Sequence, residues 1–206
     1  MSLAAFGLAA GRGERLRPQT DTTPKPLLRV GNATLLDAAL ARVATLLPLN
    51  PVHVAVNAHW LVEQVVASVG VRAHVSIEEP VALGTAGAIG QLRPWLGDRD
   101  VLIVNSDVWY DGDVDVPGFV AGWDGLRPRL LVAADDDRPD FPGGWRFAGM
   151  SLLPNAIART LTATPSGLYE VVWSKTDLEL APTIATYIDC GTPEDLARAR
   201  TSATHA

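Results

Sequence analysis

Near the start of this 206-residue chain, Leu8-Ala9-Ala10-Gly11-Arg12-Gly13-Glu14-Arg15-Leu16-Arg17-Pro18 joins an apolar run to two glycines set around an arginine. Glycines so spaced let backbone N–H groups turn inward and cradle phosphate oxygens. Arg15 adds a planar charged fork suited to the same oxygens. Further on, Thr23-Pro24-Lys25-Pro26-Leu27 holds a lysine between two prolines. Each proline fixes its own φ, and Pro26 biases Lys25 towards an extended backbone, so the ammonium is carried on a stiff support. Lys25 and Lys175 are the only lysines among 17 basic residues, and a compact ammonium kept in so arginine-rich a chain fits a site that needs a point charge.

Three readings of this segment compete. A P-loop requires Gly-Lys-Ser/Thr after its glycines, and Glu14 follows Gly13 instead. A dinucleotide fingerprint requires a third small residue where Leu16 stands. A glycine turn with merely solvated charges accounts for the glycines but not for Pro24-Lys25-Pro26.

Two aspartates follow apolar runs. Val101-Leu102-Ile103-Val104-Asn105-Ser106-Asp107 has a buried-strand pattern ending in an acid, and Tyr187-Ile188-Asp189-Cys190-Gly191-Thr192-Pro193 repeats that design much later. Either acid alone is more often a turn or cap residue; as a pair at strand ends they can share one ligand. Hard Mg²⁺ prefers such carboxylate oxygens. Asp111, Asp113 and Asp115 superficially suggest a calcium loop, but Val116 stands where that loop needs glycine, which leaves solvated charge.

These residues need elements to position them. Strands are predicted over residues 4–10, 52–57, 71–77, 101–105, 130–133, 148–153 and 184–188, and helices over 35–47, 61–69, 85–92, 155–161 and 194–200. Several strands are continuous apolar runs, as expected where both faces are covered. The last helix has a start signal, with Thr192 as N-cap and Pro193 at the first helical position. Strand–helix alternation predicts an α/β fold, a mostly parallel central sheet in a three-layer α/β/α sandwich. Ligands in such sheets bind beyond the carboxyl ends of the strands. Glu79-Pro80-Val81-Ala82-Leu83-Gly84-Thr85-Ala86-Gly87 follows the third strand, where Gly84 allows close approach of a planar base and Thr85 starts the next helix.

The length suits one domain over residues 1–206, and 48% apolar residues fill a sizeable core. A net charge of −6 without a basic block excludes duplex nucleic acid as an expected partner. No signal peptide or membrane-length apolar run is present, and the one cysteine, Cys190, forms no internal disulfide. A cytoplasmic protein without a membrane partner, a monomer or small homo-oligomer, is therefore expected.

Gly11-x-Gly13-x-Arg15-Leu16-x-Pro18 followed by Pro24-Lys25-Pro26-Leu27 resembles the signature of the nucleoside-diphosphate-sugar pyrophosphorylases, or sugar-1-phosphate nucleotidyltransferases. Asn105-Ser106-Asp107 resembles the family's Asn-Gly-Asp, Asp189-Cys190-Gly191-Thr192-Pro193-Glu194 its Asp-Val-Gly-Thr-Pro-Glu, and Leu83-Gly84-Thr85-Ala86-Gly87 its base-pocket segment. The resemblance runs from about residue 5 to 198 and is weakest over 113–155. Within the family it is nearest to the uridylyltransferases acting on N-acetylmuramate 1-phosphate, with mannose or heptose 1-phosphate guanylyltransferases close behind.

The resemblance implies a Rossmann-like, GT-A-like nucleotidyltransferase fold acting on a nucleoside triphosphate and a sugar 1-phosphate. It implies that Arg15 and Lys25 contact the reacting phosphates. Leu8, Ala9, Ala10, Gly11, Arg12, Gly13, Glu79, Gly84 and Thr85 then line the nucleotide site. Asp107 and Asp189 hold Mg²⁺, while Gly149 and Glu170 face the sugar. The family often shows Glu-Lys-Pro before its sugar-site strand, where this chain has Asp135-Asp136-Asp137-Arg138-Pro139. A choline-phosphate cytidylyltransferase is the alternative on the same fold, with Trp109 and Tyr110 as its expected aromatic cage; a non-catalytic nucleotide sensor is another.

Overall fold

The computed structural model describes residues 2–135 and 137–204. The first half runs β1 (Leu3–Leu8), α1 (Gln19–Thr22), β2 (Arg29–Val30), β3 (Ala33–Thr34), α2 (Leu35–Ala44), β4 (Val54–Ala58), α3 (Val62–Val69), β5 (His74–Ile77) and α4 (Gly84–Leu96). The second half runs β6 (Asp100–Asn105), β7 (Val108–Asp111), α5 (Val116–Val120), β8 (Arg129–Ala134), β9 (Trp145–Leu153), α6 (Asn155–Ala158), α7 (Leu168–Val171), β10 (Glu179–Pro182), β11 (Thr186–Asp189) and α8 (Pro193–Ser202).

Seven strands form one sheet in the order β10-β8-β9-β6-β1-β4-β5. β1 lies parallel to both β4 and β6, β4 to β5, and β8 to β10. β9 alone runs antiparallel, to β6 on one side and β8 on the other. Successive strand residues face opposite layers. Ala5 packs with Leu36, Leu40 and Val43 of α2 and Val65 and Val69 of α3, whereas Ala4 and Phe6 pack with Ile89, Leu92 and Leu96 of α4. Both faces of β1 are dry, which explains its unbroken apolar run. Each leucine so buried contributes about 1.5–3 kcal/mol. The three-layer α/β/α arrangement is thus the observed one.

Local signals set several boundaries. Thr34 caps α2 by accepting the Asp37 N–H at 3.0 Å, while the Asp37 carboxylate accepts from the Thr34 hydroxyl at 2.7 Å and pairs with Arg72 at 2.8 Å. Thr192 caps α8 by accepting the Asp195 N–H at 3.2 Å, with Pro193 in the first turn, as its sequence signals.

Other boundaries differ from expectation. The strand predicted at 184–188 is β11, which leaves the central sheet and pairs antiparallel with β7. The edge position goes instead to β10, alongside β8. Fully exposed Ile184 marks the crossing between the two. α4 continues past residue 92 through Pro94 because Leu96, 1% exposed, is anchored in the core. The helix predicted over 155–161 ends at Ala158. The hairpin of β2 with β3, and β7 itself, are too short to give an alternation pattern.

One face of α4 is notched. A Cβ added at Gly84, where φ is +68°, would lie 2.6 Å from the Ser166 carbonyl oxygen. At Gly87 and Gly90 it would collide with the backbone of Thr164 and Thr162. The segment over 162–166 therefore lies directly against the helix.

Candidate active site

The loop Gly11–Gly13 lies beyond the carboxyl end of β1 and folds back on the Pro24-Lys25-Pro26 segment. Gly13 has φ +65°, and a Cβ there would stand 2.9 Å from both Lys25 Cβ and Thr20 Cγ2. Thr20 Oγ1 donates to the Gly13 carbonyl at 2.8 Å, which locks the turn. Pro24, Lys25 and Pro26 are all buried. Lys25 opens a 3-10 turn, Lys25–Leu27, rather than an extended stretch. The bonds Leu27 N–H to Pro24 O, 2.8 Å, and Leu28 N–H to Lys25 O, 3.1 Å, close that turn and override the bias from Pro26. The support is stiff nonetheless.

Lys25 Nζ reaches Asp107 Oδ2 at 2.7 Å. Asp107 lies in the tight turn between β6 and β7, and its carbonyl accepts the Cys190 N–H at 2.9 Å. That bond ties the turn to the end of β11, which carries Asp189. Arg15 stands on a one-turn 3-10 helix anchored by buried Leu16. A Cβ at Gly191 would lie 2.5 Å from Arg15 Nη2 and 3.1 Å from Asp189 Oδ1, so both groups flank one glycine. Arg15, Lys25, Asp107 and Asp189 thus converge from four separate stretches of chain.

Burial pushes the Asp189 carboxyl above its ordinary value, and the neighbouring Asp107 carboxylate adds to the push. Lys25, Arg15 and Arg146 pull it the other way without cancelling the rise. Excess negative charge between two carboxylates at strand ends is the environment a hard dication neutralises. Among the described residues no group of three or more His, Cys, Asp or Glu gathers for a metal. Two carboxylates nonetheless suit Mg²⁺, which is commonly held by one or two protein carboxylates with substrate phosphates and water completing its shell.

Three cavities meet here. Gly11, Arg12, Gly13, Glu14, Arg15, Lys25, Asp107 and Gly191 line one of about 420 Å³. Asp107 and Asp189 also line a small one of about 170 Å³ with Asn105, Asp140, Arg146, Phe147, Gly149 and Tyr187. Asp189, Arg15 and Arg146 further border one of about 690 Å³ towards β10 and α8. Burial pushes the Tyr187 phenol up to about 12, so its proton stays in place at neutral pH.

Behind the loop lies a buried polar chain that the sequence reading missed. The Ala9 N–H donates to Asn57 Oδ1 at 2.5 Å, and Asn57 Nδ2 donates to Glu78 Oε1 at 2.7 Å. Glu78 Oε2 accepts the Leu83 N–H at 2.7 Å. His59 Nδ1 donates to the Glu78 carbonyl at 2.9 Å, leaving Nε2 to accept from Arg12 at 3.4 Å. Glu78 is fully buried, and this chain fixes the end of β1 against the segment that leads into α4. No local signal marks it: the apolar alternation Val71, Ala73, Val75, Ile77 predicts Glu78 outward, whereas Ser76 and Glu78 are buried and Ile77 and Glu79 exposed.

The other expected residues divide. Gly11, Arg12 and Gly13 line the cavity above Lys25, while Ala9 and Ala10 are buried beneath it at the end of β1. Leu8 presents its carbonyl to the Ser106 N–H. Glu79 is exposed. Gly84 takes the close approach of the Ser166 backbone, and Thr85 Oγ1 accepts the Leu168 N–H at 2.8 Å, so both serve packing. Gly149 lines the small cavity. Glu170 is not brought to the site: it lines none of these cavities and turns back to accept the Gly167 N–H at 3.2 Å, capping α7. Trp109 and Tyr110 form no cage. Trp109 packs on the cluster around Leu196, and buried Tyr110 donates its hydroxyl to the Ala148 carbonyl.

Comparison with known proteins adds family evidence. Over 117 residues the chain is 42% identical to the N-acetylmuramate alpha-1-phosphate uridylyltransferase of Neisseria meningitidis serogroup B, covering 54% of this chain and 49% of that protein. The protein of the same name from Caulobacter vibrioides is 32% identical over 138 residues, covering 62% of this chain and 56% of the relative. The match thus spans about half the length of these relatives. HddC from Yersinia pseudotuberculosis, solved with GMP-PN, superposes with a TM-score of 0.77 at 19% identity, covering 98% of this chain and 99% of its own. That likeness shows the fold. No helix among the described residues is long and apolar enough to cross a membrane. With the family model for nucleotidyl transferases matching residues 5–120, the chain belongs to the nucleotidyl transferase family.

Proposed function

We propose that the protein transfers a nucleotidyl group from a nucleoside triphosphate to a sugar 1-phosphate, giving an NDP-sugar and pyrophosphate. Uridylyl transfer to an N-acetylmuramate 1-phosphate-like acceptor is the favoured form, followed by guanylyl transfer to mannose or heptose 1-phosphate. The observation that carries this reading is the meeting of Arg15, Lys25, Asp107 and Asp189 at one end of the sheet.

A sugar phosphate is already an anionic nucleophile near neutral pH, so no protein base is needed. Its oxygen bonds to the α-phosphorus as the bond to the β-phosphate oxygen breaks, and pyrophosphate leaves with that electron pair. Lys25, fixed between buried prolines, supplies positive charge at the reacting phosphate. Arg15, on its short turn, offers a fork to the departing phosphates. The loop Gly11–Gly13 presents backbone N–H groups to the same oxygens. Asp107 and Asp189 would hold Mg²⁺, which supplies neutralisation of the polyphosphate charge. Catalysis then rests on positioning and electrostatics.

The test follows pyrophosphate release with Mg²⁺ across UTP, GTP, CTP, ATP and dTTP and a panel of sugar 1-phosphates. Turnover with one triphosphate and one acceptor class supports the reading. Silence across the grid from folded protein would favour a nucleotide sensor instead. Choline phosphate belongs on the acceptor panel as the alternative.

A further inference from the structure

Arg42, on α2 beside Ala39 and Val43, sets a guanidinium against β7 without an acid to answer it. None of the ion pairs among the described residues includes it. Its Nη2 donates to the Val108 carbonyl at 2.9 Å, and its guanidinium carbon stands 4.7 Å from the centroid of the Tyr110 ring. Its Nε is sealed from solvent and finds no acceptor among the described residues. Burial pulls the guanidinium below its ordinary value, yet an arginine keeps its charge at neutral pH. A cation withdrawn from water without an acid beside it costs stability, and an apolar side chain of similar length would avoid that cost. Packing alone therefore does not account for Arg42. Nor does ligand contact, because it lines none of the three cavities at the site.

Its use lies in what it holds. Opposed residues of an antiparallel pair alternate between hydrogen-bonded and non-bonded positions. The Cys190 N–H takes the Asp107 carbonyl, so the next residue, Val108, opposite Asp189, turns its carbonyl away from β11. Arg42 supplies the donor on that outer side. Val108 is also gripped through its side chain, since a Cβ at Gly149 would lie 2.7 Å from Val108 Cγ2. Two residues on, Tyr110 carries the guanidinium on its ring face and donates its hydroxyl to the Ala148 carbonyl, next to Gly149. We infer that Arg42 is a positioning residue for the metal-binding carboxylate, bracing the β6–β7 turn from α2 so that Asp107 meets Asp189 at a fixed separation. The inference rests on the two-carboxylate reading of the Mg²⁺ site given above. Removing a group that orients a ligating side chain typically costs about ten- to a hundredfold in metal affinity.

The experiment titrates Mn²⁺, an EPR-visible stand-in for Mg²⁺, into the full chain as wild type, Arg42→Met and Asp37→Ala. Methionine keeps the unbranched stem and drops the donor. Asp37→Ala loosens the start of the same helix, bonds nothing on β7 and so controls for lost stability. Mn²⁺ should bind Arg42→Met about tenfold more weakly than wild type, with Asp37→Ala unchanged. Pyrophosphate release should show the same split: in Arg42→Met the free Mg²⁺ needed for half-maximal rate rises about tenfold, and excess Mg²⁺ restores most of kcat. Should Arg42→Met fail to fold, Arg42→Lys decides, since its ammonium has no planar face to lay on Tyr110 while bonding Val108. Several-fold weaker Mn²⁺ binding by that variant supports the role, and wild-type binding refutes it. Wild-type affinity in folded Arg42→Met, an equal loss in Asp37→Ala, or a rate loss that excess Mg²⁺ leaves untouched would overturn the assignment while the transfer reading stands. Wild-type protein that binds no Mn²⁺ would remove the two-carboxylate centre, and both readings with it.

Discussion

Lys25 Nζ and Asp107 Oδ2 stand 2.7 Å apart, joining a residue on a proline-braced turn to one 82 positions later at the end of a central strand. The lysine side chain is 11% exposed and the aspartate 33%, so each shields the other from being an unpaired, partly desolvated charge. Loss of the ammonium is best tested with Lys25→Met, which keeps an apolar stem against Gly13. Turnover is expected to fall by about a hundred- to a thousandfold, the usual cost of removing one charged contact to a reacting phosphate. Thermal unfolding shows whether the fold persists, and near-normal pyrophosphate release from folded Lys25→Met would refute the role given to Lys25.

Asp189 carries a stability cost. Burial, reinforced by the Asp107 charge, raises its carboxyl, so near neutral pH the folded state disfavours the charge it must bear. Asp189→Asn should therefore raise the Tm of metal-free protein by a few degrees, while turnover collapses. Millimolar Mg²⁺ should raise the Tm of wild type and leave the variant's nearly unchanged. A variant less stable than wild type without metal would contradict this account.

Glu78 and Glu79 are adjacent yet should behave in opposite ways. Glu78→Ala strands the Asn57 amide and the Leu83 N–H in a dry interior, at about 2–5 kcal/mol for the two lost partners. Denaturant melts should show that loss, and KM for the triphosphate should rise in any protein that folds. Glu79→Ala, at an exposed position, should change stability by less than about 0.5 kcal/mol.

Alanine in place of a helical glycine ordinarily stabilises by about 1 kcal/mol. Gly90→Ala should do the reverse, because its Cβ would press on the backbone of Thr162 rather than on a yielding side chain. Overpacking costs about 1–3 kcal/mol, which outweighs the propensity gain. A Tm above that of wild type would show that residues 162–166 move aside.

Asp37 gives a pH-dependent contribution. Burial alone would raise its carboxyl, but the bonds from Thr34 and Arg72 and the Arg72 charge more than reverse that and hold it below the usual value. A carboxyl lowered on folding stabilises above its unfolded pKa, about 3.9, and loses that effect as pH falls through its folded value. Asp37→Ala removes the reciprocal capping bond and a half-exposed ion pair, and should cost up to about 1 kcal/mol at pH 7. The gap from wild type should shrink steadily below about pH 4, as read from Tm at both pH values.

Much of this molecule was legible before its coordinates. β1 and β6 announced themselves because both faces are covered, and α8 because Thr192 and Pro193 mark its start locally. The four converging residues were singled out because the phosphate and metal chemistry proposed for them admits few side-chain types, and the structure brings them together. What stayed hidden was long-range. Nothing local says that β11 abandons the sheet for β7, or that the glycines of α4 take the backbone of residues 162–166. Glu170 looked available only because its use, the Gly167 N–H, is a turn contact without a distinctive pattern. Glu78 stayed hidden because the apolar alternation through Val75 and Ile77 points it to solvent, and only its long-range bonds from Asn57 and Leu83 explain why it is buried.

The ribbon of β7 with β11 also orders events in time. A chain emerging from the ribosome can lay β1, β4, β5 and β6 side by side and cover them with α2, α3 and α4 before β11 has been synthesised. Throughout that interval Asp107 has Lys25 for company but lacks Asp189 and the Cys190 amide that steadies its turn. Until the last ribbon forms, the chain therefore lacks the second of the two carboxylates on which the proposed transfer rests.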